Sequence, residues 1–190
     1  ILTKSNWSEQ TLIWFQNEAR LTSKLIHPGI VEIYDFGIDD NDEPYMVIEY
    51  IDAITLANLI SQNGPLPADL IIEIALQVSE ALIYAHEREV FHRDLTPSNI
   101  MLVESENDKP RVKVIDFGIA TMNNEEESYK YQGLTVAGTP LYMSPDQLKG
   151  LKYDARSEIY SLGCVLFEAL TGKPPFAADD TMGILACHAN

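Results

Sequence analysis

The sequence predicts an α+β chain of two unequal lobes that meet near Asp52. Three observations carry this. Apolar spacing changes from helical to strand-like within the first fifty or so residues. A long amphipathic stretch then runs from Ala68 to Arg88, and residues 157–170 are apolar on nearly every face, the mark of a helix at the centre of a core.

Element by element, residues ~9–26 form a helix, with Leu12, Ile13, Phe15, Ala19, Leu21 and Leu25 near helical spacing, stopped by His27-Pro28-Gly29. Ile30–Phe36 and Pro44–Tyr50 pair as a hairpin about the polar run Asp39–Asp42. Leu56–Ser61 is a short helix closed by Asn63-Gly64-Pro65. In the long helix Ala68–Arg88, the apolar face is Leu70, Ile71, Ile74, Val78, Ala81, Leu82 and Ala85. Strands follow at Ile100–Val103 and Arg111–Ile115, joined by a polar turn. Thr121–Gly138 shows no periodicity and reads as a long surface loop without regular structure. After the apolar helix, a last helix starts near Asp179.

With 190 residues, 46% of them hydrophobic, the chain can bury a core. Its formal net charge of −16, from 29 acidic and 13 basic residues, argues against a nucleic-acid surface and against docking on anionic lipid. Cys164 and Cys187 both sit in apolar surroundings and are expected as buried free thiols, too few for a disulfide framework. The Cys187-His188 pair could suggest a metal, but no second ligand pair has zinc spacing. No run reaches the ~18 apolar residues of a membrane span, and no targeting segment is visible. The expectation is a cytoplasmic segment without direct membrane contact, compatible with a longer protein tethered to a membrane.

The chemistry concentrates in two motifs. His92-Arg93-Asp94-Leu95-Thr96-Pro97-Ser98-Asn99 fits H-R-D-L-x-x-x-N, and Asp116-Phe117-Gly118 fits D-F-G. Each lies beside a short strand, a rigid support for polar groups. A carboxylate at Asp94 can orient a hydroxyl and accept its proton. An amide at Asn99 and a second carboxylate at Asp116 are hard oxygen ligands suited to magnesium. A capped-turn aspartate at Asp94 and an exposed turn residue at Asp116 are the plain alternatives. They do not account for both motifs in order.

These residues resemble the eukaryotic-type protein kinase family, in its serine/threonine branch as found in prokaryotes. The resemblance spans essentially the whole chain. It implies a protein-kinase-like two-lobed fold truncated at both ends: a partial small lobe at 1–51 and a partial large lobe at 52–190. It implies transfer of the ATP γ-phosphoryl group to a serine or threonine of a protein substrate, with ATP and Mg2+ as cofactors. Asp94 would be the base, with Arg93 beside it, and Asn99 and Asp116 would hold the metal. Glu18, in Phe15–Arg20, looks like the helix glutamate that pairs with an ATP-anchoring lysine; a solvated helix face is its alternative. Met46–Ile51 looks like the linker between lobes, placing Ile48 behind the adenine pocket and backbone groups of Glu49 and Ile51 on the adenine edge; Met101 joins the cofactor-binding set. Gly138–Pro145 resembles the docking end of the activation loop, so Thr139 is expected to meet Asp94. Thr135, in the preceding loop, is expected as an activating phosphorylation site with Arg93 as its cationic partner.

The sequence departs from the family pattern in several places. No G-x-G-x-x-G is present, and neither is the lysine that would pair with Glu18; Lys4 stands too near Glu18 and reads as a solvated loop lysine. The expectation is therefore a fragment of a longer protein, inactive on its own. Thr96 stands where the family has a phosphate-contacting lysine, a loss worth ~2.7–4 kcal/mol of barrier if nothing compensates. Asp146 replaces a glutamate. Glu158 replaces the aspartate that braces the catalytic loop, and its extra methylene is expected to shift those hydrogen bonds. Thr22 replaces an apolar residue facing Phe117. The competing reading is a pseudokinase, a nucleotide- or protein-binding signalling module; the presence of Asp94, Asn99 and Asp116 together argues for the enzyme.

Overall fold

A computed structural model describes residues 9–40, 43–104, 109–117, 129–131, 134–136 and 139–189. Helix α1 (Glu9–Thr22) is followed by an antiparallel hairpin of β1 (Ile33–Ile38) and β2 (Pro44–Ile48). Next come β3 (Ile54–Thr55), α2 (Leu56–Asn63) and α3 (Ala68–His86). A 3-10 turn at Pro97–Asn99 leads into β4 (Ile100–Val103) and β5 (Arg111–Val114). A second hairpin, β6 (Tyr129–Tyr131) with β7 (Leu134–Val136), precedes a 3-10 turn at Pro140–Tyr142. The chain then runs through α4 (Pro145–Leu148), α5 (Ala155–Thr171) and α6 (Thr181–Ala189).

The long helices match the periodicity. α3 buries Ile71, Ile74, Val78, Ala81, Leu82 and Ala85, each large aliphatic among them contributing ~1.5–3 kcal/mol of transfer free energy. These side chains share one core with Ile30, Leu56, Leu95, Ile100, Val114, Phe117 and Val165. Leu95 and Phe117 of the two motifs, and Ile100 directly after the first, are therefore rooted in this core. α5 starts at the N-cap Asp154, whose carboxylate accepts from the Arg156 N–H, and ends at Gly172 in the left-handed region (φ 76°).

Several boundaries differ from the sequence expectation. α1 ends at Thr22, short of the expected ~26. Lys24 and Leu25 donate three residues back, to Leu21 and Thr22, and the Ser23 hydroxyl takes the Arg20 carbonyl. β1 begins at Ile33 because the preceding backbone is engaged elsewhere: Val31 N–H donates to the Val114 carbonyl and Val114 N–H to the Gly29 carbonyl. The loop after α1 is thereby stitched to β5. A two-residue strand, β3, adds to β4 and completes a three-stranded sheet in the order β3-β4-β5. The segment expected to lack regular structure between Thr121 and Gly138 contains the β6–β7 hairpin, in which Thr135 pairs with Lys130.

The helix expected to be buried on every face is buried on one. Leu162, Cys164, Val165 and Ala169 face the core, while Ile159 is 65% exposed and Phe167 45%. On the upper hairpin, Tyr34, Val47 and Ile48 are exposed as well. Cys164 is a buried free thiol as expected, but Cys187 is free and exposed, because α6 packs through Leu185 and His188 instead. Among the described residues no helix is long and apolar enough to cross a membrane.

Candidate active site

The loop between α3 and β4 is built around His92, which is wholly buried. Burial depresses the ring's basicity, outweighing the nearby acids Glu158, Asp94 and Asp116 and the Ile115 carbonyl. The ring is therefore neutral and carries one hydrogen. The Ile115 carbonyl, 2.9 Å from Nε2, can only accept, so that hydrogen sits on Nε2. Nδ1 is left to accept the Asp94 N–H at 3.3 Å. One side chain thus links the backbone of Asp94 to the strand end that precedes Asp116, and it also lies against the Phe117 ring, centroids 4.8 Å apart.

Asp94 is held from two further sides. Its Oδ1 accepts from the Thr139 hydroxyl at 2.7 Å and from the Thr139 N–H at 3.1 Å. The Asn99 side-chain amide donates to the Asp94 carbonyl at 2.9 Å, and the Asn99 carbonyl accepts from Ile115 N–H at 3.0 Å. Asp94, Asn99, Thr139 and the approach to Asp116 thus form one connected group. Arg93 (φ 68°) and Asp116 (φ 61°) both adopt the left-handed conformation, which disfavours a side-chain-bearing residue by ~1–2 kcal/mol and persists only where surroundings enforce it. Partial withdrawal from water holds the Asp116 carboxyl above its usual range, and Asp94 adds to the rise.

The enforcing group at Arg93 is Glu158, on α5. Its Oε1 accepts the Arg93 N–H at 2.9 Å and the Tyr153 hydroxyl at 3.1 Å; its Oε2 meets His86 Nε2 at 2.5 Å. The side chain bonds the backbone of the loop that bears Asp94, at the Arg93 N–H. The longer side chain reaches the loop backbone and α3 together. After Thr139, the chain is anchored to α5 as well, through Tyr142 OH to Glu168 at 2.6 Å and Ser161 OH to the Tyr142 carbonyl at 2.7 Å.

The residues expected around the nucleotide are more dispersed. Ile48 ends β2, and Glu49 and Ile51 follow it toward β3. The Glu49 carboxylate is engaged by Lys113 Nζ at 2.5 Å, and its N–H donates to the Glu32 carbonyl at 2.9 Å. What Glu49 can offer a ligand is its carbonyl. Met101 lies in β4, paired with Thr55 and Lys113. Glu18 is on α1, and its side chain, like that of Thr135 and like Gly118 and Gly138 entirely, lies outside the described residues. A cavity of about 310 Å³ opens behind the linker, lined by His27, Glu49, Ile51, Gln77 and Lys113 among others. None of Asp94, Asn99 or Asp116 lines it.

Sequence reasoning missed His86, Tyr153 and Lys113. Their partners lie far away along the chain, and no local spacing signals them. Asn99 and Asp116 carry oxygen donors that could hold a metal. Among the described residues no group of three or more His, Cys, Asp and Glu side chains gathers to make another site.

Comparison with known proteins places this arrangement. The model of the protein kinase domain matches residues 1–189. The serine/threonine-protein kinase PknB of Mycobacterium leprae is 41% identical over 177 residues, 92% of this chain and 28% of that protein. The serine/threonine-protein kinase pkn3 of Myxococcus xanthus is 37% identical over 182 residues, 95% of this chain and 33% of that protein. The chain thus spans about a third or less of the length of these curated relatives. A crystal structure of a mutant Mycobacterium tuberculosis PknI kinase domain superposes with a TM-score of 0.71 at 27% identity, covering 90% of this chain and 61% of that one. With the three-stranded sheet, the helical core and the Asp94 group already in place, these matches give a truncated protein-kinase-like fold, and the chain belongs to the protein kinase domain family.

Proposed function

We propose that the protein transfers the γ-phosphoryl group of ATP to a serine or threonine hydroxyl of a protein substrate. The observation that carries this reading is the double hydrogen bond from Thr139 to Asp94, which presents one carboxylate at the end of a segment anchored to the central helix.

In this reading Asp94 orients the incoming hydroxyl and takes its proton. The hydroxyl oxygen forms a bond to the γ-phosphorus, the bond from that phosphorus to the β–γ bridging oxygen breaks, and ADP leaves. Asn99 and Asp116 would hold Mg2+. The donor set fits: the Asn99 amide nitrogen is spent on the Asp94 carbonyl, which leaves its oxygen as the ligand, and a partly desolvated carboxylate at Asp116 gains from a cation beside it. When bound, the metal neutralises charge on the phosphates. Residues 1–51 and 52–190 act as parts of the two lobes. The Glu49 carbonyl and Ile51 N–H would meet the adenine edge, Ile48 and Met101 would flank it, and Glu18 would take the role of the glutamate that pairs with an ATP-anchoring lysine. Arg93 adds positive charge next to Asp94. On its own, the 190-residue chain is taken to be inactive.

The pseudokinase reading rests on Thr96, which is buried and uncharged where the family has a phosphate-contacting lysine. Radiolabel transfer from ATP to a generic protein substrate by the full-length protein separates the two. The expected result is transfer by wild type and a kcat lower by roughly 10²–10⁴ in Asp94→Asn, with nucleotide affinity retained. No transfer by wild type, or equal transfer by Asp94→Asn, would leave the binding module.

A further inference from the structure

The turn that follows Thr139 is fastened unevenly. Its last residue, Tyr142, is bonded twice to α5: the hydroxyl donates to Glu168 and the carbonyl accepts from Ser161. Pro140, next to Thr139, has no N–H to donate. Support along the turn comes from α6, which packs against it and is seated on Met143 and Leu148 through Leu185.

His188 brings a polar group of α6 to this contact. It is 3% exposed. Its Nδ1 lies 2.8 Å from the Tyr160 hydroxyl on α5, and its ring meets those of Tyr160 and Phe176 edge-on, with centroids 5.7 and 4.7 Å away. Burial lowers the basicity of the imidazole; the Leu141 carbonyl, which faces it, partly offsets this. Burial, with Cys164 alongside, pushes the Tyr160 phenol up to about 12, so the phenol keeps its hydrogen to donate to Nδ1. Nε2 is sealed from solvent and meets no full hydrogen bond among the described residues.

A phenyl ring would fill this space without burying two nitrogens, whose desolvation costs stability. What the imidazole adds is direction. Tyr160 fixes the rotation of the ring, and the ring bears on the Leu141 peptide. Leu141 follows Thr139 by two positions, and the Thr139 hydroxyl bonds Asp94. A chain of oriented groups thus runs from α5 through α6 to the partner of the Asp94 carboxylate.

We propose that His188, oriented by Tyr160, is a positioning residue that seats the Pro140–Tyr142 turn and, through it, the Thr139 hydroxyl on Asp94. The effect on rate rests on the phosphotransfer reading; the seating of the turn does not.

The test uses the full-length protein labelled with 3-fluorotyrosine. The Tyr142 signal, assigned by its loss in Tyr142→Phe, reports the turn. His188→Phe keeps a ring and loses both nitrogens. Tyr160→Phe removes only the hydroxyl that orients the ring. His188→Asn keeps a polar atom near the place of Nδ1 and fills less space. Wild type and His188→Asn are expected to share one Tyr142 signal. His188→Phe and Tyr160→Phe are expected to displace or split it and to lower kcat by roughly 3- to 30-fold, with nucleotide affinity unchanged. A role in packing alone predicts the reverse order, with His188→Asn the worse. Adding His188→Phe to Thr139→Val is expected to slow the enzyme by clearly less than the product of the two single factors, because both act on one hydroxyl. An unmoved Tyr142 signal in His188→Phe and Tyr160→Phe, a His188→Asn protein worse than His188→Phe, or a double variant slowed by the full product overturns the proposal. If wild type transfers no phosphate while the Tyr142 signal still answers to His188 and Tyr160, the kinase reading falls and the seating of the turn stands.

Discussion

Glu158 Oε1 accepts the Arg93 backbone N–H at 2.9 Å, and Oε2 of the same wholly buried carboxylate meets His86 Nε2 at 2.5 Å. The central helix, the preceding helix and the loop bearing Asp94 therefore converge on one side chain. Tyr153 adds a hydroxyl to Oε1; burial beside this carboxylate pushes the Tyr153 phenol well above its ordinary range, which keeps it a donor.

Shortening that side chain separates its two contacts. Glu158→Asp cannot span both α3 and the loop, so it is expected to keep the Arg93 N–H and lose His86, with kcat reduced within about tenfold and a lowered unfolding temperature. Glu158→Ala removes the acceptor from three partly buried donors and is expected to cost up to ~3–5 kcal/mol, read as loss of soluble protein or a sharp fall in Tm. Equal stability of wild type and the alanine variant would show the network to be dispensable.

Thr139 offers a cleaner probe of the Asp94 geometry, because its backbone bond survives substitution while the hydroxyl bond does not. A hydrogen bond to a charged group is worth ~1.5–3 kcal/mol. Thr139→Val is expected to lower kcat by roughly 10- to 100-fold with little change in nucleotide affinity, and Thr139→Ser to retain most of the rate. A Thr139→Val enzyme with wild-type kcat would remove the hydroxyl from the mechanism.

Asp116 is expected to act on binding before rate. Its carboxyl is held above the usual range, chiefly by burial, and a divalent cation reverses that penalty. Asp116→Asn should weaken Mg·ATP binding while leaving Mg-free ATP binding nearly unchanged, and a chelator should bring wild type to the variant's level. Titration calorimetry with and without magnesium checks this; identical metal dependence in both proteins counts against Asp116 as a ligand.

How far the sequence reached depended on whether a contact is local. Asp94, Asn99 and Asp116 stood out because the chemistry requires particular residue types at short spacings within motifs, and Thr139 through the resemblance to the family alone. α3 and α5 stood out because an apolar stripe repeats over many turns. β3 did not, since two residues are too few to show alternation, and in β6–β7 the alternation of Tyr129-Lys130-Tyr131 and Leu134-Thr135-Val136 runs for only three residues a strand. Glu158 was marked as a departure, but its reach to His86 and Arg93 depends on where three separated segments pack. Lys113 and Glu49 are 64 residues apart, and nothing near either residue points to the other. The start of β1 was misplaced for a similar reason, since the backbone before it is engaged by β5.

His92 gives the chain a pH dependence whose sign follows from its burial. An unfolded histidine takes up a proton near pH ~6.5, but in the folded protein burial holds the ring's pKa below that value. As pH falls through the unfolded value, the unfolded state binds a proton that the folded state refuses. The stability contributed by the neutral ring is present above that pH and is lost progressively until the lower, folded value is reached. His92→Gln keeps a side-chain N–H within reach of the Ile115 carbonyl and cannot titrate. It is expected to be less stable than wild type near pH 7.5, by ~1–3 kcal/mol for the imperfectly replaced bonds. Its stability is also expected to fall less than wild type's between pH 7.5 and 5.5. Urea midpoints of both proteins at the two pH values decide the matter. Parallel losses would mean that His92 enters the folded state able to take a proton, and the assignment of its hydrogen to Nε2 would fall with it.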